Sequence, residues 1–289
     1  MTSTSNATRR FVAVDDGVPE STLAGLERAC LVRDVAYECI QARTYDWRTR
    51  RQLARGDLLY RPGVSLQATR VEQALYGPGV ATFHRTEVSL YGDLPTSWLM
   101  LERAGLPVPT TVPLTTDDPE HLEALVGVVG GLPAVLKVSG YSGGLGVLRV
   151  DSLSALTSLV ALLRARGLTP DLIRYVPDAV HWRVVVVGAR AVASYPNPVD
   201  EGDFRTYASE DPADYRADAD ADMQRIAARA AETIGSELAG VDLLREADGT
   251  LWILEANFPC YHAQAEVVGG IDVSGPMLDH LLAKSSRLS

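Results

Sequence analysis

Apolar positions in the first ninety residues follow two patterns, short continuous runs and helically spaced positions. Three runs have the length of buried strands: 11–14, 35–40 and 57–60. Between the first two runs, Leu23, Leu26 and Ala29 fall on one face of a helix that begins after Pro19. Strand, helix and strand in this order predict a βαβ layout with a parallel sheet.

The next eighty residues alternate in the same way. A helix is predicted around 98–104, and another begins after the capping residue Asp118, with Pro119 in its first turn. Two further apolar runs predict strands: 134–138 and 146–150. The glycine-rich stretch between them predicts a turn, and Ser152 caps the helix that follows.

The last part of the chain contains two predicted hairpins. Their strands are predicted at 183–187, 191–195, 241–245 and 250–255. The second hairpin turns at Asp248-Gly249, a strong hairpin signal. A strand at 172–176 precedes the hairpins, a polar loop and a helix lie between them over 197–234, and a helix around 276–283 follows.

Composition is that of a globular protein, with 46% hydrophobic and 22% charged residues in a chain of 289. The net charge of −10 argues against a general nucleic-acid binder. No apolar run is long enough to span a membrane, and the polar first residues lack the apolar stretch of a secretory signal. We therefore expect a cytoplasmic protein. Three cysteines without metal-ligand spacing predict neither a zinc site nor a disulfide framework.

Three polar residues interrupt the apolar strands of the second hairpin. Glu255 and Asn257 are two positions apart, so their side chains point to the same face, which Asp242 on the partner strand can reach. Two carboxylates and an amide on one sheet surface are the hard oxygen ligands that Mg²⁺ prefers. The alternative is a solvated sheet face that carries acidic residues.

A lysine and a glycine-rich turn form a second candidate site. Lys137 lies at the end of a predicted buried strand, and residues 140–146 follow with four glycines. A lysine in this position suits a phosphate, and glycines let backbone N–H groups approach it closely. The pattern is neither a Walker loop nor a dinucleotide fingerprint. The alternative is an ordinary glycine-rich hairpin.

Two arginines, Arg183 at a strand and Arg205 in the polar loop, could bind a phosphate or carboxylate in bidentate fashion. Taken alone, each is better explained as a surface ion-pair residue. His181 and His262 flank these regions and are interpreted as structural.

These pieces occur in an order that resembles the ATP-grasp superfamily, and within it the RimK-like branch of amino-acid and glutamate ligases. The resemblance covers about residues 93 to 282. Its most specific motifs are Ala239-Gly-Val-Asp-Leu-Leu-Arg245, Leu251-Trp-Ile-Leu-Glu-Ala-Asn-Phe-Pro259 and Gly270-Ile-Asp-Val-Ser-Gly-Pro276. It implies an α/β (α+β) fold in three parts: an N-terminal Rossmann-like pre-grasp domain over 1–92, a central subdomain over 93–170 and a C-terminal subdomain over 171–289. The last two would clasp ATP.

The resemblance also implies roles for individual residues. Asp242, Glu255 and Asn257 would bind two Mg²⁺ ions, or Mn²⁺, around the β- and γ-phosphates. Lys137 with Ser142, Gly143 and Gly144 would form the phosphate-covering flap. In the segment that packs on adenine, Tyr175 and Val176 would offer backbone hydrogen bonds, Asp178 would meet the ribose and Arg174 would lie beside them. Arg183 and Arg205 would be catalytic.

Three positions depart from the family pattern. Leu94 stands where the family usually has a lysine, Arg174 replaces a glutamate, and His181 replaces the aspartate of Asp-x-Arg. These departures affect the expected nucleotide and substrate contacts, whereas the predicted metal-ligand set is intact.

The function implied by the resemblance is ATP-dependent ligation of a carboxylate to an amine through an acyl phosphate. The partners would be small-molecule or peptide substrates rather than nucleic acid or membrane, and a homo-oligomer is compatible with the sequence. Two alternatives remain open: a kinase of the same fold that phosphorylates a small-molecule hydroxyl, and a non-catalytic nucleotide-binding protein.

Overall fold

The computed structural model describes residues 9–49, 51–92, 97–141, 143–199 and 203–288. Three sheets organise them, and each contains strands from one part of the chain. We call them the N-terminal, central and C-terminal sheets. Residues Leu94 and Ser142, which the sequence analysis singled out, lie outside the described residues.

The N-terminal sheet is parallel, as predicted, with β1 (Arg10–Asp15) between β2 (Ala36–Gln41) and β3 (Leu58–Tyr60). Helix α1 (Glu20–Val32) connects β1 to β2, and α2 (Leu66–Leu75) follows β3. Alternate residues of β1 face opposite cores. Val12 and Val14 pack with α2, whereas Phe11 and Ala13 join a core shared with the C-terminal sheet. This second core attaches the N-terminal part to the rest of the molecule.

The central sheet is antiparallel, with four strands in the order β4-β7-β5-β6. Its strands are β4 (Thr111–Pro113), β5 (Ala134–Lys137), β6 (Val147–Val150) and β7 (Asp171–Arg174). Short helices α3 (Glu87–Tyr91) and α4 (Ser97–Arg103) precede it, and α5 (Pro119–Val128) and α6 (Leu153–Ala165) bury Leu122 and Leu156 against it. The cap predicted at Asp118 is confirmed, because its carboxylate accepts the backbone N–H of His121 at 2.9 Å.

Strand β7 pairs with β5 and β4 of the central sheet, although the predicted C-terminal segment begins at residue 171. The strand predicted over 172–176 ends at Arg174 in the structure, and the chain leaves the central sheet there. Tyr175 and Val176 therefore lie in the connection between two sheets. The division into three domains stays a prediction.

The C-terminal sheet is antiparallel, with four strands in the order β11-β10-β8-β9. Its strands are β8 (Val180–Val187), β9 (Arg190–Asn197), β10 (Leu238–Arg245) and β11 (Leu251–Asn257), which confirms both predicted hairpins. Helix α7 (Ala221–Thr233) covers one face, where Val184 and Val241 are buried. On the other face, Val185 and Tyr195 pack against the N-terminal sheet.

Helices α8 (Ala263–Val267) and α9 (Ser274–Leu288) complete the fold. Lys284 on α9 joins three parts of the chain, because its ammonium donates to the carbonyls of Thr82 and His84 and to Glu237 at 2.6–2.9 Å. His280 Nε2 lies 3.0 Å from the same Glu237 carboxylate. In the described part of the chain, no helix is both long enough and apolar enough to cross a bilayer.

Candidate active site

A row of polar side chains crosses the C-terminal sheet. Arg183 on β8 lies opposite Asp242 on β10, and Asp242 lies opposite Glu255 on β11. Residues that face each other on neighbouring strands point to the same side of the sheet. Asn257 hydrogen-bonds to Glu255 and belongs to the same face. The structure thus brings together the three predicted metal ligands; their role as ligands stays a prediction.

Asp242 is the most buried member of this row, at 4% exposure. Its Oδ1 lies 2.8 Å from Arg183 Nε and 3.4 Å from His181 Nε2. Burial alone would raise the pKa of Asp242, but the charge of Arg183 and the hydrogen bond from His181 outweigh burial and lower it. Asp242 is therefore held as a carboxylate inside the protein.

Glu255 connects this row to the central sheet. Its Oε1 accepts a hydrogen bond from Asn257 Nδ2 at 2.7 Å, and its Oε2 accepts one from Lys137 Nζ at 2.5 Å. Lys137 ends β5, so the predicted phosphate-binding lysine and the predicted metal ligands face each other between two sheets. The chain has only two lysines, and one of them lies here.

The chemistry of this residue set fits a hard divalent cation. Among the described residues, no three His, Cys, Asp or Glu side chains form a metal-binding group, and the set here is two carboxylates and one amide. Asn257 Nδ2 bridges Asp242 Oδ2 and Glu255 Oε1 at 3.3 and 2.7 Å, between the two carboxylates. The nitrogen and oxygen of an amide are assigned rather than seen, and the opposite assignment would add a third oxygen ligand.

The glycine-rich turn after Lys137 lies under Arg205. Gly143 and Gly144 both have positive φ, at 64° and 74°, which favours glycine at these positions. A Cβ at Gly144 would lie 3.4 Å from Arg205 Cδ. The loop after β9 therefore packs its arginine against the predicted flap.

The two predicted catalytic arginines lie in different surroundings. Arg205 is exposed, and its guanidinium binds Asp203 at 2.6 Å, which lowers the pKa of that carboxyl. Arg183 lies inside the sheet beside Asp242. Burial alone would lower the pKa of Arg183, but the charge of Asp242 outweighs burial and raises it. Arg183 is a fixed cation, whereas Arg205 is bound, within the part of its loop that the structure describes, by the neighbouring Asp203.

The predicted adenine segment forms the connection between β7 and β8. Arg174 lies 5.2 Å from the ring centre of Trp252, and Arg149 lies 4.9 Å from that of Tyr175. Val176 is buried, and Asp178 adopts a left-handed conformation with φ 55°. Arg174 ends β7, and Tyr175, Val176 and Asp178 follow between the central and C-terminal sheets; their contacts with a nucleotide stay predictions.

Gly240 is a site residue to which the sequence analysis gave no role. A Cβ at this position would overlap Arg183 Nη1 and lie 2.8 Å from Cys260 Cβ. The missing side chain therefore makes room for the Arg183 guanidinium. Gly240 is part of the motif Ala239-Gly-Val-Asp242, but a glycine in a strand does not by itself indicate which side chain crosses it.

Phe258 was also missed, and it links the strand that carries the predicted metal ligands to the N-terminal part. Its ring lies 4.7 Å from that of His84 and 5.6 Å from the Arg61 guanidinium. Arg61 in turn hydrogen-bonds Glu72 at 2.8 Å, and both are buried. Only long-range packing reveals these contacts.

Residues 93–281 match the RimK-like ATP-grasp domain model. The chain belongs to this family. A probable alpha-L-glutamate ligase from Xanthomonas oryzae pv. oryzae is 34% identical over 186 residues, which are 63% of this chain and 61% of that protein. The chain thus matches about three fifths of the length of this curated relative.

Two solved structures share the fold over nearly the whole chain. D-cycloserine synthetase DcsG superposes with a TM-score of 0.73, 18% identity and coverage of 97% of this chain and 100% of that one. The ATP-grasp ligase PsnB, complexed with minimal precursor, Mg and ADP, gives a TM-score of 0.70 and 18% identity, with 95% and 97% coverage. The N-terminal part is therefore included in the ATP-grasp fold.

Proposed function

We propose that the chain is an ATP-dependent ligase that joins a carboxylate to an amine and releases ADP and phosphate. The observation that carries this proposal is Lys137 facing the row of Arg183, Asp242 and Glu255 across the space between two sheets. This arrangement combines a cation for phosphate, oxygen ligands for a metal and a buried cation beside them. Membership of the RimK-like ATP-grasp family supports the same reading.

Asp242, Glu255 and Asn257 would hold two Mg²⁺ ions, or Mn²⁺ in their place, and the bound ions would neutralise charge on the β- and γ-phosphates. Lys137 contributes a point charge to the same phosphates. Gly143 and Gly144 let backbone N–H groups approach the triphosphate. The PsnB complex with Mg and ADP supports magnesium as the ion.

The reaction has two steps. A substrate carboxylate oxygen bonds to the γ-phosphorus, and ADP leaves with an acyl phosphate remaining. The amine nitrogen then bonds to the acyl carbon and loses a proton, and inorganic phosphate leaves with the electron pair of the C–O bond and takes up that proton. Arg183, fixed as a cation by Asp242, stabilises the oxyanion that develops at the acyl carbon. Arg205, in the loop that packs on the flap, would pair with phosphate.

The substrates belong to the class of amino acids and peptides. The name of the Xanthomonas relative supports L-glutamate as the first carboxylate to test, and the precursor in the PsnB complex supports a peptide as the second. The segment from Arg174 to Asp178 would hold the adenosine, because it lies between the two sheets that also provide Lys137 and Glu255.

Hydroxylamine trapping tests the proposal. The protein is incubated with ATP, Mg²⁺ and hydroxylamine and with one carboxylate at a time, beginning with L-glutamate and the other amino acids. We expect a hydroxamate, detected by ferric colour and mass, in amounts that match the phosphate released. A stable phosphorylated product would instead identify a kinase. Tight MgATP binding without turnover on any carboxylate would identify a nucleotide-binding protein.

A further inference from the structure

Asn257 is the last residue of β11, and the chain leaves the C-terminal sheet directly after it. Among the strands that the structure describes, β11 lies at the edge of this sheet and has β10 as its neighbour. The register partner of Asn257 on β10 is Gly240, which has no side chain to pack against it. The sheet therefore holds this predicted metal ligand from one side, and the position of the strand end depends also on the residue that follows, Phe258.

Phe258 packs on side chains of the N-terminal part. The ring of His84 makes a T-shaped contact with it at 4.7 Å between ring centres, and the ring of Tyr60 lies at 6.3 Å. The Arg61 guanidinium lies over the Phe258 ring at 5.6 Å from its centre. At this distance a cation is attracted by the π electrons of an aromatic ring. Phe258 is thus anchored to residues that follow strand β3 or end it.

The anchor is itself held in place by Glu72 on α2. Its Oε2 accepts a hydrogen bond from Arg61 Nε at 2.8 Å, and its Oε1 lies 3.3 Å from His84 Nε2. Each of the three side chains belongs to a buried residue, and Glu72 is only 1% exposed. A buried charge that loses its partner destabilises the fold strongly, so Arg61 and Glu72 stay paired. Arg61 is therefore fixed at the place where it contacts Phe258.

We propose that Arg61 and Phe258 are positioning residues that hold Asn257 at the metal site, an inference that rests on the proposed function. Arg61 acts through the Phe258 ring, and Phe258 acts through the backbone that it shares with Asn257. Asn257 Nδ2 lies 3.3 and 2.7 Å from the two carboxylates of the site, so a shift of the strand end moves the amide relative to both. Metal affinity depends on the groups that orient the ligands as well as on the ligands. The N-terminal part thus contributes to metal binding without providing a ligand.

Titration of Mn²⁺ into the full-length protein with ADP tests the proposal. Free Mn²⁺ is read by electron paramagnetic resonance, and a titration of ADP without protein is subtracted. Phe258→Leu keeps an apolar side chain but removes the ring, so the Kd for Mn²⁺ is expected to rise about tenfold.

Phe83→Leu is the matched control for a purely structural effect. Phe83 is fully buried in the core between the N-terminal and C-terminal sheets, and its ring contacts that of Tyr60 at 5.3 Å. No predicted metal ligand is next to it in the chain. Loss of this ring is expected to lower the melting temperature at least as much as Phe258→Leu, yet to leave the Mn²⁺ Kd within about twofold.

A combined variant tests whether Arg61 acts through Phe258. Arg61→Met together with Glu72→Gln removes both buried charges, so that neither is left without a partner. This double variant is expected to raise the Mn²⁺ Kd about tenfold. Adding Phe258→Leu to it should leave the Kd about tenfold above that of the unsubstituted chain, whereas independent effects would give about 100-fold.

Three results overturn the inference while the metal assignment stands. They are an unchanged Mn²⁺ Kd in Phe258→Leu, a Kd raised equally in Phe83→Leu, and effects of Arg61 and Phe258 that multiply in the combined variant. If the unsubstituted chain binds no Mn²⁺ in the presence of ADP beyond the titration without protein, the inference falls together with the metal assignment.

Discussion

Lys137 and Glu255 are 118 positions apart and belong to different sheets, yet Lys137 Nζ lies 2.5 Å from Glu255 Oε2. The contact joins the end of β5 to β11 across the space where the nucleotide is proposed to bind. A carboxylate neutralised by a lysine can exchange this partner for a cation, and the freed ammonium can then pair with phosphate. Glu255 and Lys137 would therefore each face an opposite charge both before and after the nucleotide binds.

Replacing Lys137 with methionine is expected to weaken nucleotide binding. The variant keeps most of the side-chain length but removes the charge that would pair with phosphate. We expect the Kd for MgADP to rise about tenfold, the loss of one charge-assisted contact. Isothermal titration calorimetry measures it, and Arg225→Met, which removes an exposed cation on α7, is the control. Equal affinities in the two variants would exclude Lys137 from the nucleotide site.

Glu255→Gln and Asn257→Ala are expected to abolish turnover while the chain still folds. Glu255→Gln removes the negative charge and one oxygen, and Asn257→Ala removes the amide, each from a partly exposed position of the proposed metal site, so we expect kcat/KM to fall by about 100-fold or more. Binding of Mn²⁺ in the presence of ADP, followed by electron paramagnetic resonance, should weaken in parallel. Glu123→Gln, which neutralises an exposed carboxylate on α5, is the control. Full activity in a folded Asn257→Ala variant would refute the metal assignment.

Gly240→Ala is expected to reduce activity without touching any proposed ligand. The added methyl overlaps the Arg183 guanidinium, so Arg183 must move away from Asp242. We expect a loss of about 1–3 kcal/mol in the free energy of unfolding and a fall in kcat at unchanged MgADP affinity. Gly127→Ala in α5 is the matched control, since nothing lies within 4 Å of its added methyl. The free energy of unfolding of the Gly127→Ala variant should rise by about 0.5–1 kcal/mol, because alanine favours a helix more than glycine does.

Glu237 is expected to make stability depend on pH. Burial alone would raise the pKa of Glu237, but the hydrogen bonds from His280 and Lys284 outweigh burial and lower it. Because the pKa is lower in the folded state, the stabilisation is complete above the unfolded value of about 4.3 and is lost as the pH falls below it. Glu237→Gln should therefore lower the free energy of unfolding by about 1.5–3 kcal/mol at pH 7. The loss should become smaller as the pH approaches 3.

Urea unfolding at pH 7 and near pH 3 measures this difference. Glu232→Gln is the control, because Glu232 forms an exposed ion pair with Arg85 at 3.2 Å. Such surface pairs contribute only about 0–1 kcal/mol. If Glu237→Gln lowers the free energy of unfolding by the same amount at both pH values, the carboxylate charge does not stabilise the folded state.

Local patterns predicted most of the regular structure. The apolar runs at 11–14 and 183–187, the cap at Asp118 and the hairpin at Asp248-Gly249 each reflect a preference acting over a few residues, and each corresponds to an observed element. Strand β4 was missed because Thr111–Pro113 has only three residues, too few for a visible alternation. The predicted end of β7 was wrong because Tyr175 and Val176 continue an apolar run beyond the last paired residue, Arg174.

The candidate site was predictable only in part. The two-residue spacing of Glu255 and Asn257 places them on one face, and the hairpin brings Asp242 beside them. No pattern within a strand predicts that Arg183 lies over Gly240, or that Asn197 is the register partner of His181. These relationships depend on which strands become neighbours in the sheet, and the order β11-β10-β8-β9 is set by the tertiary fold.

The chain has two lysines, so acylation of their side chains can report separately on the nucleotide site and on the fold. Lys137 lies at the proposed nucleotide site, and Lys284 is held by Thr82, His84 and Glu237 away from it. A reagent that acylates amines would therefore label two side chains, of which one responds to nucleotide and the other to unfolding. The ratio of the two labelled peptides, read by mass spectrometry, reports occupancy of the site and integrity of the fold in one measurement.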